Sequence, residues 1–140
     1  MWKKFVLYGV LGLLVEVLWT GFGSMIKGDV LLRGTTSIWM FPIYGLAVLL
    51  EPVHYRIKHL PLIVRGGIYM LLIFAVELVS GLLLRLVLGE CPWNYVNRTL
   101  SIYGIITLTY APVWFAYGIM LEQVQGIIKR IERGLGSNAT

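Results

Sequence analysis

Charge is scarce in this chain. Only 14% of its 140 residues are Asp, Glu, Lys or Arg, where a soluble domain carries about a quarter. One cysteine, Cys91, excludes an intramolecular disulfide and a multi-cysteine metal centre. The two histidines, His54 and His59, stand among Arg56, Lys58 and Arg65 with no cysteine or carboxylate to complete a ligand set. They read as solvated loop groups, and no metal is expected. The sequence has no G-x-x-x-x-G-K-[ST] loop, so the chain does not itself hydrolyse ATP, and no G-x-S-x-G or H-E-x-x-H motif. No catalytic residue and no cofactor emerge from it.

What the chain has in abundance is apolar length. It is 58% hydrophobic with a mean hydropathy of +0.79, more apolar surface than a protein this small can bury in water. Four low-charge runs carry it: Phe5 to Ile26, Gly34 to Leu50, Gly66 to Leu84 and Thr99 to Leu121. Each is about the 17 to 25 residues with which a helix crosses a bilayer. The expected fold is therefore an all-α, four-transmembrane-helix bundle over residues 1–128, with helices at 5–26, 36–56, 64–87 and 100–123, followed by a basic tail over 129–140. The first run exceeds a signal peptide's apolar core and contains Glu16 without a clear cleavage site, so it reads as a helix of the protein.

The net charge of +5 would fit a nucleic-acid partner if it were clustered, but it is partitioned by topology. Lys3, Lys4, Arg56, Lys58, Arg65, Lys129, Arg130 and Arg133 fall on one side of four crossings; Lys27, Arg33 and Arg98 fall on the other. By the positive-inside rule both termini are cytoplasmic, and the partner of these charges is the lipid bilayer.

Polar residues inside apolar runs are the informative ones. Glu16 and Glu77 each lie about eleven residues in from the inner end of their run, hence at similar depth, where a charge is costly and usually faces other helices. Thr20 follows Glu16 on a face of glycines suited to close packing. Tyr103, Tyr110 and Tyr117 recur at heptad spacing in the fourth run with Thr107 and Trp114 between them, and their hydroxyls are candidate partners for the two acids. Pro112 is expected to kink that helix. Glu122, at its inner end near Lys129 and Arg130, reads as solvated.

Beyond Glu77, Arg85 and the turn Cys91-Pro92-Trp93-Asn94-Tyr95 form a second group. The aromatics and proline read as an interfacial anchor or as a cap on the outer mouth. Asn97-Arg98-Thr99 and Asn138-Ala139-Thr140 have the form of glycosylation sequons. Runs one and three each hold a central Glu, while runs two and four each hold Pro, aromatics and then Glu, an echo that fits a parallel repeat of two hairpins.

Gly34-Thr35-Thr36-Ser37-Ile38-Trp39, Tyr44-Gly45, Glu77 with Gly81 and Arg85, Cys91-Pro92-Trp93-Asn94-Tyr95, Gly104 to Tyr110, Trp114 and Glu122-Gln123 together resemble the transmembrane protein 229 family and the bacterial ABC-transporter type IV membrane proteins. The resemblance runs from the first helix to Glu122 and implies a multi-helix membrane protein. Two departures stand out: Asn94 where that family tends to have Asp, and Thr109 where it can have an acid. The resemblance and the buried acids together favour a small permease-like or transport-associated protein, with a polar site of Glu16, Thr20, Glu77, Tyr103, Thr107 and Tyr110. Four helices enclose little space, so homo-oligomers or partner membrane subunits are expected. The alternatives are a scaffold subunit whose polar groups only hold helices together, and a membrane enzyme that modifies lipid with paired carboxylates.

Overall fold

The structure, a computed structural model, describes residues 1–137 and side chains through Gly134. The second sequon and the end of the basic tail lie outside the described residues. The chain is mostly helical and divides into two compact units, Met1–Leu49 and from Leu50 onward.

The first unit is built on α1, Trp2–Ile26. After it the chain turns at Gly28, whose φ of 91° is open to glycine without strain. It then runs without regular structure over 32–37 before α2, Met40–Gly45, and a 3-10 turn, Leu46–Leu49. This return path lies directly on α1. A Cβ added at Gly12 would overlap the ring of Tyr44, and one at Gly34 would overlap the Val17 carbonyl, so small residues on both elements set the separation. Tyr8 and Val48 are buried here.

The second unit comprises α3, Leu50–Ile57; α4, Leu62–Leu88; a short antiparallel hairpin of β1, Ser101–Ile102, and β2, Ile106–Thr107; a 3-10 turn, Leu108–Tyr110; and α5, Ala111–Ser137. Gly89, at φ 82°, caps α4 by donating its N–H to the Arg85 carbonyl, the left-handed C-terminal stop that glycine favours. α4 and α5 run antiparallel: Gly118 meets Tyr69 and Trp114 meets Glu77. Phe74, Ile105 and Ile106 form a core against which Met70, Leu78, Trp93, Ala111 and Trp114 pack.

Two of the four expected helices are shorter or broken. The run over 36–56 is α2, a 3-10 turn and α3, because Pro52 has no N–H to offer Val48 and its ring crowds that carbonyl. The run over 100–123 begins its helix only at Ala111. Tyr103 and Gly104, at φ 54° and 69°, make a reversal that the Ile105 N–H closes onto the Ile102 carbonyl at 3.1 Å, and the β-branched Ile105-Ile106-Thr107 suits a strand. Pro112 consequently stands in the first turn of α5, where its missing N–H costs nothing, and not in the middle of a helix. α5 continues past 123 to Ser137.

α1 and α4 are both long and apolar enough to cross a membrane. Their apolar side chains are largely exposed, among them Leu14, Leu18, Phe22, Leu71, Val79, Leu83 and Leu86. A core helix of a water-soluble protein buries such residues; an environment of hydrocarbon accounts for them.

Candidate functional site

Each unit follows one plan. A long apolar helix carries a carboxylate, the chain returns through a non-helical segment, and the next helix packs back on the first. In both units the carboxylate is held by one donor from the return segment and one from the following helix.

In the first unit that acid is Glu16. Its Oε2 accepts from the Thr36 hydroxyl at 2.7 Å and from the Tyr44 hydroxyl at 3.0 Å. One turn on, the Thr20 hydroxyl accepts from the Thr35 N–H at 2.8 Å and reaches the Thr35 carbonyl at 2.9 Å. Thr20 thus fixes the extended segment that delivers Thr36. Wherever the surroundings are hydrocarbon, non-helical backbone beside such an apolar helix needs these partners, because hydrocarbon supplies none.

In the second unit the acid is Glu77. Trp114, on the first turns of α5, donates its indole N–H to Glu77 Oε2 at 3.2 Å, and the Tyr95 hydroxyl is its second hydrogen-bond partner. Tyr95 comes from the Cys91–Tyr95 turn, so that turn reaches the acid and is not a separate outer group. Its seat is built from Gly81, one turn beyond Glu77, where a Cβ would overlap Ile105 and lie 3.2 Å from the Trp93 ring. The Trp93 indole donates to the Ile105 carbonyl at 2.9 Å, the Tyr95 N–H donates to the Gly104 carbonyl at 2.8 Å, and Asn94 Oδ1 accepts from the Val96 N–H at 2.8 Å. Pro92 is exposed. Burial pushes the Cys91 thiol up from its ordinary pKa, against the smaller opposing effects of the Trp93 backbone and Arg85.

The tyrosine stripe is divided by the hairpin. Tyr103 sits at its tip, 72% exposed. Thr107 is buried in β2, donating to the Thr99 carbonyl at 2.9 Å and paired with the Thr109 hydroxyl. Tyr110 ends the 3-10 turn between the Tyr95 and Trp114 rings. Glu16 and Glu77 fall in different units, each with its own partners.

A third carboxylate escaped the sequence reading. Glu122 is not solvated; it is 7% exposed. Arg65 Nε lies 3.0 Å from its Oε1 as an ion pair, with the N–H not aligned for a hydrogen bond. The Tyr69 hydroxyl donates to the same oxygen at 2.8 Å. His54 Nδ1 stands 3.2 Å from that oxygen and 3.1 Å from the Tyr69 hydroxyl, so His54 is part of this cluster and not a solvated loop group. The Arg65 guanidinium also donates to the Lys58 and Leu60 carbonyls at 3.3 and 3.2 Å, tying the α3–α4 loop. One signal pointed to it: an acid near the end of one apolar run and an arginine at the start of another. Among the described residues no group of three or more His, Cys, Asp or Glu side chains is placed to hold a metal ion.

Residues 3–137 match the family described as "Putative ABC-transporter type IV". The chain belongs to that family. No solved structure matches it. With two exposed apolar helices long enough to cross a bilayer, it is a membrane protein of a transporter-type family.

Proposed function

We propose that the chain is a permease-like or transport-associated membrane subunit whose working site is the Glu77 carboxylate beneath the Cys91–Tyr95 cap. The observation that carries this is the chemistry around Glu77: it lies within an apolar helix, and its two hydrogen-bond partners, Trp114 and Tyr95, are neutral donors. A carboxylate so placed has acceptor capacity for a further positive group, and one of its donors belongs to a loop that is able to move without breaking a helix. Glu16, held by Thr36 and Tyr44 in the same manner, is the equivalent position of the first unit.

In this reading the chain crosses the membrane four times, the broken second run counting as one crossing, with both termini in the cytoplasm. The distribution of Lys and Arg supports that arrangement. The common plan of the two units supports the parallel repeat, and the likeness to the transmembrane protein 229 family belongs to the same reading. Because the sequence has no nucleotide-binding loop, an ABC-type role requires partner subunits, and enclosing a sizeable substrate requires those partners or a second copy.

The test is solute uptake into membrane vesicles, with and without the protein, followed across a broad panel of metabolites. Solutes whose movement depends on the protein, with that dependence lost in Glu77→Gln while the protein still assembles, are the expected result. No protein-dependent solute, or full activity in Glu77→Gln and Glu77→Ala, contradicts it. The Glu122 cluster favours a scaffold role for that region alone, since its charge is already matched by Arg65.

A further inference from the structure

The two rings that hold Glu77, Trp114 and Tyr95, belong to a connected run of aromatic side chains. Tyr95 and Tyr110 are 5.5 Å apart between centroids at 69°, Tyr110 and Trp114 5.9 Å at 54°, and Trp114 and Tyr117 6.1 Å at 72°. The steep angles between successive rings are those of edge-to-face packing, which leaves each ring a face not covered by the next. Tyr95, Tyr110, Trp114, Tyr117 and Glu77 are each half-buried. A cation already rests on this run: Arg98 Cζ lies 6.0 Å from the centre of the Tyr110 ring.

From these observations we infer that the site takes an organic ammonium cation, which rests on the reading of Glu77 as the transport site. Aromatic faces carry negative electrostatic potential and attract quaternary and alkylated ammonium groups, whose charge is spread over methyl groups that shed water easily. A metal ion or a bare ammonium keeps its hydration shell and gains less from such faces. Glu77, hydrogen-bonded to two of these aromatic side chains, supplies the opposite charge, and its indole and phenol donors fix the carboxylate while leaving acceptor positions open. Neutral and anionic solutes lack the charge that both features select. Arg98 is the internal competitor: its guanidinium lies over the Tyr110 ring and repels an incoming cation until it moves aside.

The experiment is binding of radiolabelled benzyltrimethylammonium to the full-length protein in zwitterionic nanodiscs, with empty discs subtracted. Saturable binding is expected, with no displacement by neopentylbenzene, which has the same shape without the charge. Glu77→Gln, checked for intact assembly by its elution profile, is expected to weaken binding by about tenfold or more, as loss of a half-buried charge partner does. Arg98→Ala, at an exposed position following the cap, is expected to tighten it by about two- to fivefold through removal of the competing cation. Absent binding, displacement by the neutral isostere, or unchanged affinity in Arg98→Ala overturns the proposal. Vesicle uptake of anionic or neutral solutes that is lost in Glu77→Gln would overturn this inference while leaving the transport reading intact.

Discussion

Glu77 and Glu122 sit between the same two helices, yet they are satisfied in opposite ways. Glu122 is matched by a full positive charge, Arg65, with Tyr69 and His54 filling the remaining space. Glu77 receives hydrogen bonds from an indole and a phenol. A charge-matched cluster resists exchange, because removing any member strands the others, while a carboxylate among neutral donors retains capacity for a visitor. On the proposed reading, the pair separates a joint that holds helices from a site open to a ligand. Glu16, with Thr36 and Tyr44, sides with Glu77.

The contrast is broken most forcefully at the joint. Arg65→Ala leaves Glu122 buried without its cation and is expected to destabilise the second unit by about 3–5 kcal/mol, read as a large fall in the thermal unfolding midpoint in detergent. Replacing both partners, Arg65→Met with Glu122→Leu, is expected to recover most of that loss, since neither charge is then stranded. Failure of the double variant to recover would show that the cluster does more than balance charge.

Packing gives the next largest effect. Gly118→Val forces a branched side chain into Tyr69, and overpacking of this kind costs about 1–3 kcal/mol. The same substitution at Gly126, where a Cβ meets nothing within 4 Å, is expected to change the midpoint little. Equal effects at both positions would contradict the close α4–α5 seam.

The smallest effect sharpens the cap. With its pKa raised by burial beside Gly81, Cys91 stays a protonated, poorly nucleophilic thiol at neutral pH. Maleimide labelling of the native protein is expected to be slower than that of a free thiol at pH 7, and to accelerate only as pH passes above the ordinary thiol range. Trp93→Ala is expected to speed labelling at every pH. Rapid labelling of the unsubstituted protein at pH 7 would show the turn standing open.

How much of this was legible in the sequence depended on the range over which each feature is specified. α1 and α4 are readable because a long apolar run is a local signal, and Gly89 stops α4 by its own backbone conformation. The second and fourth runs are ambiguous because apolar residues on every face erase the periodicity that separates helix from strand. There the backbone is decided by particular residues, Pro52 for the 3-10 turn and Gly104 with its β-branched neighbours for the hairpin. The heptad of tyrosines is real as spacing, but Tyr103 lies before the helix begins. Glu77 could be singled out by its apolar setting, whereas its partners Tyr95 and Trp114 depend on the fold of the cap. Glu122 was hidden for a similar reason: Tyr69 lies 53 positions away in sequence, and nearby Lys129, which instead stacks on Tyr55 at 3.3 Å, offered a false local partner.

The central claim is that Glu77 works and Glu122 holds. Comparing Glu77→Gln with Glu122→Gln in one preparation, by vesicle uptake and thermal unfolding together, tests it most directly. The account predicts that Glu77→Gln abolishes protein-dependent uptake with its unfolding midpoint nearly unchanged, while Glu122→Gln lowers the midpoint and loses uptake only in proportion to folded protein. The reverse pattern, with uptake surviving in Glu77→Gln and lost per folded molecule in Glu122→Gln, would contradict it.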